Sequence, residues 1–152
     1  MKLNPDTDGA PLIPALRAGH RRVLGLFRPL ENSRDDFERI EKMSVICEEI
    51  RQLLSAERSV VWPLVDSDSR IAHEAEARAM RAALLHLVDR LERLSPEETG
   101  FDQLSRQAYD CLRDYVCEQE RDLFPLLAGL DAPLLAGAER RLRDLRERQL
   151  EH

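Results

Sequence analysis

The stretch from His73 to Leu94, HEAEARAMRAALLHLVDRLERL, decides the fold class. Ala77, Met80, Leu84, Leu87, Leu91 and Leu94 follow His73 at steps of three and four, the period of a helix with one buried face rather than the alternation of a strand. This helix starts near Asp68 or Ser69. Before it, Phe37, Ile40, Met43, Cys47, Ile50, Leu53, Glu57 and Val60 mark a second helix, which opens at Ser33 and Asp36 with a weak relative of the capping box and closes at Trp62-Pro63. Ahead of that, Pro14 opens a helix with Ile13, Leu16, His20, Val23 and Phe27 on one face, stopped by Pro29. Downstream, the turn Ser95–Gly100 leads into a helix carrying Phe101, Leu104, Ala108, Cys111, Tyr115, Gln119 and Asp122 up to Phe124-Pro125. Asp131-Ala132-Pro133 then caps a shorter, Arg-rich final helix ending near Gln149.

Composition agrees with that reading. Leu (25) and Ala (15) far outnumber Val plus Ile (12), and Thr occurs only twice, so the chain is predicted to be all-α. Four long amphipathic helices joined by short turns predict an up-down-up-down four-helix bundle over residues 12–149, with a short fifth helix covering one end or a groove. Residues 1–11, rich in Pro, Asp and Gly, read as a flexible arm. Leu150, Glu151 and His152 match the start of the tag that common expression vectors append, so residues 150–152 are set apart. No uncharged stretch approaches the roughly 20 residues of a membrane span. The formal charge of −6 weighs against nucleic acid as a partner, even with 21 of the 23 basic residues being Arg. Three cysteines without a CxxC pair make no disulfide framework or zinc knuckle, and a cytoplasmic setting is expected.

Sites in a bundle are built from polar side chains that interrupt the apolar stripes. Here those are His20 on the first helix, Glu57 on the second, His73 on the third, and Cys111, Tyr115, Gln119 and Asp122 on the fourth. His20, Glu57 and His73 form a two-histidine, one-carboxylate set, adequate for one iron, manganese or zinc ion. The competing reading has His20 hydrogen-bonded to Glu57 or Tyr115 in a buried polar cluster. Buried Cys47 acts as a small hydrophobe, Cys117 lies off the stripe, and His86 faces solvent. The basic run Arg140 to Arg148 is balanced by Glu139, Asp144 and Glu147, as on a solvated face. No Gly-rich phosphate loop, nucleophile elbow or acid-base constellation is visible, so an enzyme is not expected.

Two segments, Leu53–Pro63 and Tyr115–Pro125, carry a resemblance. Each resembles a motif of the hemerythrin-like (HHE) cation-binding domains, which in that family has a His, a Glu four residues later, and an aromatic-Pro pair at the tenth position. Ala15 to Leu24, around His20, resembles the family's first-helix motif, and Glu76 to Arg81 its third-helix Glu-His motif. The resemblance covers roughly residues 12–127 and implies the bundle fold. It also implies a di-iron centre of about five histidines and two bridging carboxylates. Carried over position by position, His20 and Glu57 match. Leu53, Ala77 and Tyr115 stand where histidines are expected, and Gln119 stands for the second carboxylate. His73 resembles the first histidine of a His-x-x-x-His variant, with Ala77 in the place of the second, and Glu120 resembles that variant's displaced carboxylate. In the family's geometry His20 and His73 would serve different irons.

The expected protein is therefore a hemerythrin-like domain with an eroded di-iron site, acting as a non-catalytic binding or regulatory module through a protein partner or self-association. No resident cofactor is expected on this reading. The alternative is an iron-binding sensor of O2 or NO with a reduced ligand set, holding iron substoichiometrically or as a single ion.

Overall fold

The computed structural model describes residues 12–65 and 67–150, so the arm predicted for 1–11 and the last two residues lie outside what is described. All regular elements among the described residues are helical. They run α1 (Leu12–Gly25), α2 (Phe27–Asn32), α3 (Asp36–Ala56), α4 (Ser67–Arg93), α5 (Phe101–Glu118), α6 (Phe124–Ala128) and α7 (Ala132–Leu150). A π-helical turn, Glu57–Val61, and a 3-10 turn, Trp62–Leu64, extend α3, while a second π turn, Gln119–Leu123, joins α5 to α6.

The two π turns share one cause. Pro63 and Pro125 lack the N–H that an α-helix would use, and their rings crowd the carbonyl four residues back. Widening the preceding turn by one residue relieves the clash, so the N–H of Trp62 bonds the Glu57 carbonyl and that of Phe124 bonds the Gln119 carbonyl. Both wide turns thus begin at the residue that projects into the bundle centre.

Pro29 does not stop the first helix. It lies in the first turn of α2, where its missing N–H has no intrahelical partner to lose, and the break falls one turn earlier at Gly25, where Leu26 N bonds Val23 O at 3.1 Å. Nor does Ser33 cap α3: its hydroxyl donates to Glu38 at 3.0 Å, and Asp35 occupies the cap position without a side-chain bond. The Ser95–Gly100 turn does use its signals, with Ser95 N bonding the Glu98 carboxylate at 3.3 Å and Gly100 at φ 107°.

Four helical columns, α1–α2, α3, α4 and α5–α6, pack as the up-down-up-down bundle, and α7 lies against α1, α3 and the first π turn. At 19 residues α7 is not short compared with the 18 of α5. Two apolar clusters fill the interior. One includes Val23, Phe27, Met43, Ile46, Ile50, Leu84, Val88, Leu104 and Leu112; the other includes Leu12, Leu16, Val60, Trp62, Ala77, Leu123, Phe124 and Leu142.

Three predicted stripes need adjustment. Phe37 and Ile40 are 67% and 52% exposed, because Arg39 instead reaches the start of α5, with its guanidinium 4.7 Å from the Phe101 ring centre and an ion pair to Asp102. On α4 the buried row runs Ala77, Arg81, Leu84, Val88, Leu91, leaving Met80 and Leu87 at its flank and His73 half-buried. On α5 and the π turn that follows it, Leu112 and Leu123 take the buried places assigned to half-buried Cys111 and Asp122. Cys47 is fully buried, its thiol 3.9 Å from Val88 O and pushed up to about 12 by burial.

Candidate functional site

Between the two apolar clusters each of the four columns contributes polar side chains to one layer. His20, Glu57, Arg81 and Gln119 are all buried there, with Tyr115 one turn before Gln119. Burying so many polar groups costs free energy unless each finds a partner, so the bonds within the layer decide what it can do.

His20 Nε2 lies 2.6 Å from Glu57 Oε1, and Nδ1 lies 3.3 Å from Glu120 Oε1. As an imidazolium it donates to both carboxylates. Burial pulls its pKa down, but the hydrogen bonds and charges of Glu57 and Glu120 outweigh that and raise it above 6.5. The ring is fixed by stacking on Phe124, with centroids 5.8 Å apart and planes 9° from parallel, while Arg17 covers the same Phe124 at 5.4 Å. The aromatic half of the Phe124-Pro125 pair therefore orients the histidine.

The other oxygen of Glu57, Oε2, accepts from the Tyr115 hydroxyl. Burial and the adjacent Glu57 raise the Tyr115 pKa well above 10, with the Arg81 charge pulling the other way, so Tyr115 is a neutral donor rather than a phenolate. Arg81 is 7% exposed, and its Nη1, like Oε1 of Gln119, is buried without a hydrogen-bond partner. Leu53 and Ala77 are buried and apolar. A cleft of about 370 Å³ between α1, α3 and α7, lined by Leu16, Gly19, Val23, Leu53, Leu142 and Arg146, reaches Glu57 from the surface.

Of the sequence-derived residues, His20 and Glu57 meet directly, and Tyr115 and Gln119 occupy the same layer. His73 does not join them and lies instead near Asp122. Glu76 of the third-helix motif is exposed and lies beside Glu118, whose carboxyl pKa is raised by burial and by that neighbour. Among the described residues no three His, Cys, Asp or Glu side chains are arranged to hold a metal ion. Sequence reasoning missed Arg81, although a charge four residues after Ala77 and three before Leu84 signals it, and it gave Glu120 too little weight.

An all-helical bundle with a polar layer of this composition at mid-height, entered by twin wide turns before aromatic-Pro pairs, defines the class. Residues 12–127 match the hemerythrin HHE cation-binding domain, and the chain belongs to that family. It is also similar to a protein named DNA nickase from Nostoc sp. (strain PCC 7120 / SAG 25.82 / UTEX 2576), at 27% identity over 109 residues. That stretch is 72% of this chain but 31% of the nickase, so the chain spans about a third of its relative's length. No solved structure matches.

Proposed function

We propose that this chain is a non-catalytic binding or regulatory module in which a charge-paired hydrogen-bond cluster stands where the family holds two irons, and that it works through protein contacts or self-association. The observation that carries this reading is the saturation of the retained ligands. Both ring nitrogens of His20 face carboxylates, and each oxygen of Glu57 already accepts a hydrogen bond, so an ion could bind either residue only by displacing these partners. Two expected histidine positions hold Leu53 and Ala77, which donate nothing. Arg81 adds a fixed positive charge beside Tyr115, disfavouring a divalent cation at the same level. The donors present do not fit an iron pair. For protein contact, the support is the exposed turn of α3 that carries Phe37 and Ile40.

The DNA nickase relative raises a catalytic role on DNA as the competing reading. Against it stand the net charge of −6 and the matched third of that protein's length. Relaxation of supercoiled plasmid by the purified chain would favour that competitor.

The decisive experiment is anaerobic ferrous loading followed by metal analysis. The parent is expected to take up less than one iron and to develop no oxo-bridged absorption in air. A variant carrying Leu53→His, Ala77→His, Tyr115→His and Gln119→Glu, which restores the family's donors on unchanged helices, should gain iron. Two irons per parent chain would overturn the reading, and a folded variant that takes up none would overturn the register on which it rests.

A further inference from the structure

A second cleft, of about 440 Å³, lies between α3 and α4, lined by Arg51, Arg58, Arg78 and Arg81 together with Glu74 and Ser55. Two of these guanidinium groups are already answered. Arg51 pairs with Asp89 at 2.8 Å and with Glu92, and Arg78 has Glu74 at 3.6 Å on its own helix. The other two have no carboxylate partner among the described residues. Arg58 is exposed on the cleft wall. Arg81 is more than nine-tenths buried with an unpartnered Nη1, and Glu57, which it faces through Tyr115, has both oxygens occupied.

A guanidinium cannot shed its proton, and Arg81, which meets the Glu57 charge only through the Tyr115 hydroxyl, keeps donor capacity that no carboxylate takes up. We propose that the α3–α4 cleft binds a small phosphate-bearing ligand, inorganic phosphate or a phosphomonoester, held between Arg58 and Arg81 with the Ser55 hydroxyl as a further donor. Guanidinium groups from two helices and a hydroxyl offer more donors than the two oxygens of a carboxylate can use, whereas a tetrahedral oxyanion can accept from all of them. The cleft has room for one small molecule, and a net charge of −6 repels an extended polyanion. Since Arg81 also stands beside Tyr115, an anion in the cleft is felt at the Tyr115–Glu57–His20 chain. A surface site and the buried layer are thereby connected.

This inference goes beyond the role proposed above and does not depend on iron content. The test is a 15N NMR titration of the full chain with inorganic phosphate and, separately, phosphoserine as a small monoester, against chloride at matched ionic strength and pH. Saturable shifts at the Arg58 and Arg81 side-chain N–H groups and at the flanking α3 and α4 amides are expected. A response to phosphate alone identifies the free ion, and a tighter response to the monoester identifies the esterified form. Arg58→Gln should weaken binding roughly tenfold or more, the worth of one charge-assisted hydrogen bond. It lies on the surface, so it keeps the test valid even where Arg81→Gln fails to fold. The proposal is overturned if neither ligand gives saturable shifts, if chloride reproduces them, or if Arg58→Gln binds like the parent. Tight binding of a DNA oligonucleotide without a response to phosphate would overturn it too. Iron found in the same samples would sink the earlier reading and leave this one standing.

Discussion

His20 shows how a single residue sets the behaviour of the layer. Its charged form is favoured in the folded protein by Glu57 and Glu120, which overcome burial, so the folded pKa exceeds the unfolded value near 6.5. The sign follows from linkage: the stabilisation is complete below pH 6.5 and is lost as pH rises through the raised folded pKa. The thermal midpoint should therefore decline on the alkaline side of pH 6.5, and His20→Gln, which cannot titrate, should flatten the decline. A parent profile no steeper than that of the variant would show that His20 stays neutral. Sequence made His20 and Glu57 legible because each interrupts an apolar row. Arg81 was not legible in the same way, since choosing Met80 as the inward position turned the arginine outward, and an error of one residue rotates a helical side chain by about 100°.

At the scale of an element, α1 meets α7 at a glycine. A methyl group at Gly19 would come within 2.5 Å of Nη2 of Arg146, the tip of an exposed flexible chain, and 3.8 Å from Leu53 Cδ1, an ordinary contact. The first obstacle can swing away and the second needs no movement, so helix propensity decides the outcome. Gly19→Ala should raise unfolding free energy by about 0.5–1 kcal/mol in urea titration. A loss of stability would mean that Arg146 is held where it lies. Helix existence was legible from periodicity, while the ends were not. Pro29 signals a stop in sequence but is tolerated in a first turn, and Ser33 spends its hydroxyl on Glu38, a choice set by local packing that no spacing rule records.

For the molecule as a whole, the bundle places apolar clusters on either side of the polar layer and leaves one apolar turn of α3 outside both. Phe37 and Ile40 contribute little to folding, so Phe37→Ser with Ile40→Ser should change unfolding free energy by no more than about 0.5 kcal/mol. If this turn carries self-association, light scattering of the double variant should give monomer mass at concentrations where the parent is larger. A large loss of stability would show instead that the turn is covered within one chain. The up-down-up-down order was legible because short turns between long helices leave few alternatives. What sequence could not supply was the meeting of Arg81 with Tyr115, which depends on how α4 and α5 rotate against each other.

The twin wide turns carry a consequence for redesign. Each is enforced by a pyrrolidine ring and stays in place whatever side chain stands at position 57 or 119. The backbone that aims those two positions inward is thus independent of the chemistry mounted on them. A library varying positions 53, 57, 77, 115 and 119 while holding Pro63 and Pro125 fixed would explore new centres, acidic, aromatic or metal-bearing, on a frame that needs no re-engineering between one and the next.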